Sequence, residues 1–369
     1  MNEYDVQEIK TGRFFTEPVY LDEGFVLLAQ EMVFSDEIAS LLTEWNYQKV
    51  LSNGVTREFY ENDDANQVVQ NDMDKIERAR VFIEELEEWT AKFFMKISSN
   101  SSAVHFEMVA EKMKQLCDYI KVERRSVLQV PKNDAGADDE SFYASHCVWT
   151  AIVSIIIGLR LKLPIHRLIE LGAAALLHEI GMLKLPPSIY RIKSTLSDKE
   201  KGLLFEHPRL GYELLKSYNF PLSVCIPALE HHERENGSGY PRHLSKDKAT
   251  LYSKIVMVAG SYAAITESRP HRDARSGYEG ITDLLRNKSK QYDESVVRAL
   301  VFSLSIYPIG QYVELSNGRK AQVVDTNPED PRYPIVQIFK EQTQDGANKI
   351  VTTSASGIYI VRPINKDEV

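Results

Sequence analysis

Cysteine is scarce: Cys117, Cys147 and Cys225 are the only three in 369 residues, and none share a CxxC spacing. Three scattered cysteines cannot build a disulfide framework, and they suit a reducing compartment. Long apolar runs are missing too. The longest, over residues 151–159, is cut by Arg160 and Lys162, well short of the roughly 20 residues that span a bilayer. Met1-Asn2-Glu3-Tyr4-Asp5 is acidic and lacks an apolar h-region, so no signal peptide is expected. Basic charge is in the minority. With 44 Lys and Arg against 53 Asp and Glu, the net charge of -9 argues against a nucleic-acid polymer or an anionic membrane as partner. No internal repeat or low-complexity tract occurs. Residues 1–60 hold no metal cluster, glycine-rich phosphate loop or nucleophile motif. What is left is an ordinary globular composition, 43% hydrophobic and 26% charged, and a soluble cytoplasmic protein is expected.

The length allows two or three domains. Pro18-Val-Tyr-Leu, a turn at Asp22-Glu23-Gly24 and Phe25-Val-Leu-Leu-Ala read as a β-hairpin. Ser35 before Asp36 and Glu37 starts a helix that runs to about Trp45. Lys49-Val-Leu and the turn at Ser52-Asn53-Gly54 complete a small α/β module over residues 1–60.

Residues 61–130 read as a helical connector. Met73, Ile76, Ala79, Phe82, Ile83, Leu86, Trp89 and Phe93 recur at helical spacing, and a second helix is predicted over residues 104–128. The plain reading is a two-helix spacer. A coiled coil that dimerises the chain or transmits a signal to protein partners is the alternative.

The breaker-rich stretch from Val130 to Asp139 sets a boundary, and helical signals dominate from Glu140 to Tyr307. Ser197 with Glu200 makes a capping box, Pro208 opens a helix and Gly237-Ser238-Gly239 closes one. Past Pro308, two β-rich runs flank Asn317-Gly318, a strong hairpin signal, so residues 308–369 are predicted to form a β appendage.

Five of the nine histidines fall at informative places in the helical middle: His146, His178 beside Glu179, His207, and the pair His231-His232. One histidine on a helix is ordinarily a surface or satisfied core residue, so the set carries the argument. His178 and Glu179 close an apolar helix just before Gly181, where burying two titratable groups is costly unless they are paired or bound to metal. Pro208 breaks the helix at His207, and His231-His232-Glu233 again precede a glycine-rich turn. Imidazoles and a carboxylate offered from several helix ends suit a divalent transition metal such as iron or manganese.

Leu176-Leu-His-Glu-Ile-Gly-Met-Leu resembles the HD signature, and His231-His-Glu-Arg-Glu-Asn-Gly-Ser-Gly-Tyr-Pro resembles the HHE…GYP signature. Residues 140–307 thus resemble the HD-GYP family of the HD superfamily, whose typical members are bacterial cyclic di-GMP phosphodiesterases. The resemblance implies a mainly α fold, with a helical metal-binding bundle between the N-terminal α/β module, the connector and the β appendage. It implies His146, His178, His207, His231 and His232 as ligands of a two-metal centre, with Glu179 where the family has a bridging aspartate. In an active member, Glu179 and His178 would belong to the catalytic set. It also implies Tyr240, Arg269 and Arg272 as ligand-binding residues, the arginines gripping phosphates bidentately. A third metal would need a glutamate one turn before His146, and Phe142 stands there. One or two ions are expected.

The departures point to a degenerate member. Glu179 carries an extra methylene, Met182 stands in place of a phosphate-holding lysine, and Asn236 replaces an aspartate. Where the family reads roughly Ala-Asp-x-Tyr-Asp-Ala, this chain has Ala259-Gly-Ser-Tyr-Ala-Ala, so Gly260 replaces a metal-binding aspartate and Ala263 a second acid. A mid-helix glycine costs about 1 kcal/mol relative to alanine, so helix stability does not explain it. One adequate metal position (Glu179, His207, His231, His232) and one weak one (His146, His178, a share of Glu179) are therefore expected. The resulting expectation is binding of cyclic di-GMP or a related cyclic dinucleotide with weak or absent hydrolysis. The alternatives are an active metal-dependent phosphodiesterase giving the linear dinucleotide or GMP, and a structural docking scaffold.

Overall fold

A computed structural model describes residues 1–9, 13–15, 17–21, 26–28, 33–34, 36–45, 47–58, 65–99, 101–131, 139–186, 189, 197–246, 248–267, 274–327, 329–342, 348–355 and 357–369. Met1–Val68 forms one compact unit, and Val69–Thr343 with Asn348–Val369 forms another.

In the first unit, strands β1 (Asn2–Asp5), β6 (Lys49–Ser52), β3 (Val19–Tyr20) and β4 (Val26–Leu28) make one sheet in that order. Strands β5 (Val33–Phe34), β2 (Arg13–Phe15) and β7 (Thr56–Glu58) make a second. Helix α1 (Asp36–Glu44) buries Leu42 with Phe15, Val19, Phe34 and Val50. The expected hairpin pairs Val19 with Leu28. Its turn at residues 22–24 and the helix-starting Ser35 lie outside the described residues.

The second unit holds the large core. Helix α2 (Ala65–Ser98) buries Ala79, Ile83, Leu86 and Phe93 as the apolar rhythm requires, but Met73 is 59% exposed and stands outside that core. Helix α3 (Phe106–Gln129) follows, with Val109, Met113, Leu116 and Ile120 at three- and four-residue spacing on its buried face. Helix α4 (Asp139–Arg160) packs against α5 (Ile165–Leu176). A 3-10 turn, Ile180–Lys184, leads towards α6 (Asp198–Leu204), whose Ser197–Glu200 capping box forms as predicted.

Helix α7 (His207–Ser217) packs on the turn, α8 (Leu222–Glu230) on α5 and α7, and α9 (Leu251–Thr266) on α4 and α8, and α10 (Gly277–Arg286) and α11 (Glu294–Leu304) complete the bundle. By length and composition, Phe142–Arg160 is apolar enough to cross a membrane, which corrects the sequence-based expectation that no segment is. His146, Thr150 and Ser154 are buried polar positions inside it, and 78% of its most apolar window is buried inside the bundle.

Strands β8 (Tyr312–Leu315), β9 (Lys320–Asp325), β10 (Ile335–Gln342), β11 (Asn348–Thr352) and β12 (Ile360–Ile364) form an antiparallel sheet in the order β11-β10-β9-β8-β12. The Asn317-Gly318 turn joins β8 to β9 as a three-residue loop, with Gly318 N–H donating to the Leu315 carbonyl at 2.9 Å and Gly318 itself at φ +76, the left-handed conformation that ends such a loop. Alternate residues Val313, Leu315, Ala321 and Val323 point into a small separate core.

Candidate metal centre

Helix ends bring the histidines together. Helix α4 carries His146 on its buried side. Helix α5 stops at Leu176, so that His178 and Glu179 fall in the turn that follows. His207 is the first residue of α7, with Pro208 supplying the preset φ of a first turn. His231 caps the end of α8 and His232 follows it.

Two glycines make the approach possible. A Cβ at Gly181 would lie 1.9 Å from the His207 carbonyl oxygen and 2.6 Å from the Gly211 nitrogen, so only glycine lets α7 start against the turn that carries Glu179. A Cβ at Gly239 would lie 2.4 Å from Glu233 Cα, and the bare backbone there lets the loop fold back on α8. The loop is pinned by Glu233, fully buried, which accepts from the Arg242 and Leu244 backbone nitrogens at 2.6 and 2.8 Å. Glu233 is thus committed to the backbone, while its two histidine neighbours face the centre.

The rings are aimed by their outer nitrogens. Nδ1 of His178, His207 and His231 lies 2.7, 2.6 and 2.9 Å from the carbonyls of Ala175, Leu204 and Ala228. A carbonyl only accepts, so each Nδ1 carries a hydrogen and each ring turns its Nε2 inward. His146 is held instead by Glu267, Nδ1 to Oε2 at 2.8 Å. The inward atoms crowd: Nε2 of His207 and of His231 are 3.1 Å apart. Glu179 reaches His207 Nε2 at 3.3 Å with Oε2, and the Nε2 atoms of His178 and His231 at 3.9 Å each with Oε1. The result is two ligand groups, Glu179 with His207, His231 and His232, and Glu179 with His146 and His178, each with its donor atoms within 4.8 Å of one another.

These donors fit a divalent metal. Two Nε2 lone pairs at 3.1 Å repel unless a cation lies between them. Burial pushes the pKa of His231 well below its usual value, which keeps its inward nitrogen available as a donor to metal. Burial also pushes His178 down to about 4 and His232 to about 3. Burial would raise Glu179, but the histidines around it, His207 and His178 foremost, outweigh that and hold it at about 2. Neutral imidazoles and an ionised carboxylate are the forms that bind metal.

A cavity of about 160 Å³ opens beside the centre between the histidines and α9, lined also by Arg234, Gly260 and Ser261. Tyr240 does not stand open beside it. Its ring stacks on Phe205 at 4.2 Å and on His232 at 4.6 Å, so both faces are taken by the protein's own rings and the hydroxyl is what remains. Met182 turns away from the centre into an apolar cluster with Leu185 and Ile189. Phe142, where a third metal would need a glutamate, lies parallel to the His146 ring at 6.3 Å. Arg269 and Arg272 lie outside the described residues.

Sequence reasoning missed Glu267 and Arg234. Arg234 donates to the carbonyls of His231 and Glu233 and holds its guanidinium over Tyr292 at 5.1 Å. Its signal was a basic residue directly after His-His-Glu. Glu267 had none, being 121 residues from His146.

Comparison with known proteins agrees. The HD domain family matches residues 127–296, which include the whole histidine–carboxylate set. The chain is 26% identical over 248 residues to cyclic di-GMP phosphodiesterase PdeB of Borreliella burgdorferi, covering 65% of this chain and 63% of that one. It is 32% identical over 202 residues to a cyclic di-GMP phosphodiesterase of Pseudomonas aeruginosa, covering 54% and 48%. The chain thus spans less than two thirds of the length of each of these relatives. Among solved structures, an HDG"Y"P protein from Bdellovibrio bacteriovorus matches 81% of this chain and 97% of its own, at 16% identity and a TM-score of 0.49. Residues 127–296 are therefore an HD domain, and its HD and GYP motifs and convergent imidazoles make the chain similar to cyclic di-GMP phosphodiesterases of the HD-GYP type.

Proposed function

We propose that this chain binds a cyclic dinucleotide, cyclic di-GMP foremost, and hydrolyses it at the histidine–carboxylate centre as a component of bacterial cyclic-dinucleotide signalling. The observation that carries this reading is the position of Glu179, whose two oxygens serve both ligand groups at once. Its oxygens lie within 3.3–3.9 Å of the His207, His178 and His231 Nε2 atoms, which supports a carboxylate that would be shared between two ions. The names of the relatives supply the substrate class.

Iron or manganese is the metal these donors suit, and such an ion supplies Lewis-acid charge for phosphoryl oxygens and lowers the pKa of water. His207, His231 and His232 with Glu179 would hold one ion, and His146 and His178 with Glu179 the other. The backbone carbonyls behind three of the rings keep the donors aimed with no rearrangement during reaction. Arg234 at the cavity wall offers a planar set of donors to a phosphate, with Arg269 and Arg272 as further candidates for that role. Tyr240 keeps its proton, because burial and the Glu179 charge push its pKa up, and its hydroxyl is a donor for a substrate oxygen.

A second reading, binding with weak or absent hydrolysis, draws on Gly260 and Met182, which leave the second metal position without a fourth ligand and the motif without its lysine. Incubating the purified protein with cyclic di-GMP and manganese tests both. Appearance of linear dinucleotide or GMP, abolished by Glu179→Ala, supports hydrolysis. Saturable binding without product supports the second reading. Product formation unchanged by that substitution contradicts the first.

A further inference from the structure

The four imidazoles whose Nδ1 partner is described are not held alike. His178, His207 and His231 each donate to the backbone carbonyl three residues back. His146 instead meets a carboxylate, Glu267, at 2.8 Å, with both side chains 7% exposed. Glu267 is the C-cap of α9, in extended conformation, so this contact ties the end of that helix to the middle of the bundle.

A carbonyl fixes the direction of a ring. A carboxylate fixes it too, and also draws the Nδ1 proton, which makes Nε2 a stronger donor. That reinforcement falls where the ligand set is thinnest. His146 belongs to the group with three ligands, whereas the other has four. Along α9 the acids that the family carries are replaced by Gly260 and Ala263. Glu267 lies four residues past Ala263, on the same face of the helical path. A carboxylate lost from that face thus returns one turn later, on a longer side chain.

We propose that Glu267 is a positioning residue that holds His146 as a ligand and sets the affinity of the second metal position. The inference rests on the metal-centre reading above. It also revises the balance between the two positions, because the thin ligand group gains negative charge from just behind it. A purely structural bond between α4 and α9 would leave metal binding untouched once the protein is folded.

The test is a manganese titration of the metal-stripped full chain, followed by calorimetry and by electron paramagnetic resonance of free ion, on wild type, Glu267→Gln and Glu267→Ala. Glu267→Gln keeps the shape and a hydrogen-bond acceptor but removes the charge. The expected result is two binding events in the wild type. The event from His207, His231 and His232 should be unchanged in Glu267→Gln, and the other weakened roughly 10–100-fold, as for other carboxylates behind metal-bound histidines. Glu267→Ala should lose the second event, and Glu267→Asp should recover part of it. If Glu267→Ala does not fold, Glu267→Gln decides. Two wild-type events with Glu267→Gln indistinguishable overturn the inference and leave the metal centre standing. A single wild-type event also overturns it. No manganese uptake at all overturns the metal-centre reading itself, and this inference with it.

Discussion

Nε2 of His207 faces Nε2 of His231 across 3.1 Å, while both Nδ1 atoms are committed to backbone carbonyls. Two inward-facing nitrogens thereby meet in a buried place, and a metal ion held between them would bind the folded chain and not the unfolded one. Metal binding and folding should therefore be coupled. Stripping the metal with a chelator is expected to lower the thermal unfolding midpoint by several degrees, and His207→Ala should reduce that difference sharply. A midpoint indifferent to chelation in the wild type would contradict the coupling.

The same burial gives a pH dependence for the metal-free protein. His178, His231 and His232 have pKa values lowered in the fold, to about 4 for His178 and about 3 for His232, against about 6.5 in an unfolded chain. The unfolded state then binds more protons, so stability is fully present above about 6.5 and falls as pH drops towards 4, by about 1.4 kcal/mol per pH unit for each imidazole. Glu179, lowered to about 2, adds a loss that begins only below its unfolded pKa of 4.5. Urea midpoints between pH 7 and 4.5 check the sign. Constant stability across that range would show that the rings are solvated in solution.

Gly181 should tolerate no side chain. Its Cβ would run into the His207 carbonyl at 1.9 Å, a backbone contact with nowhere to move. Gly181→Ala is expected to cost at least about 2 kcal/mol and to abolish metal retention, through displacement of α7. Denaturant unfolding with metal analysis on the same sample reads both. Wild-type stability would mean that the turn and α7 are not in contact.

Gly260 behaves oppositely. A Cβ there would sit 3.6 Å from His178 Nε2 and 3.7 Å from Thr150 Cγ2, which is ordinary contact, so packing does not demand glycine. Thr150 Oγ1 beside it is buried with no hydrogen-bond partner among the described residues, leaving a polar recess next to the second ligand group. Gly260→Asp is expected to fold and to tighten binding of the second manganese ion about tenfold or more. An unchanged titration would show that position 260 does not reach the metal.

Arg234→Ala should weaken cyclic di-GMP binding about tenfold, the loss of one charge-assisted contact, while the metal count stays the same. A fall in metal content with no change in dinucleotide affinity would reassign Arg234 to holding the α8 end.

The sequence made some of this legible and hid the rest for physical reasons. Local signals carried through: the Ser197–Glu200 capping box, the Asn317-Gly318 turn and the helix opened at Pro208 all depend on neighbours a few residues apart. The five histidines and Glu179 were readable because two motifs keep most of them in short runs, and the structure brings all six together. Met73 fits the helical period yet stands exposed, because period alone does not say where a core ends. That Tyr240 stacks on Phe205 was not legible, because Phe205 lies outside its motif. Glu267 meets His146 only because α9 crosses α4, a tertiary fact with no local trace.

The most direct test of the account is to count iron and manganese per chain by mass spectrometry, on wild type and Glu179→Ala purified without chelator, with cyclic di-GMP hydrolysis assayed on the same samples. The account expects close to two ions per chain and turnover in the wild type, with both sharply reduced when the shared carboxylate is removed. Absence of bound metal in the wild type, or hydrolysis that survives Glu179→Ala, would contradict it.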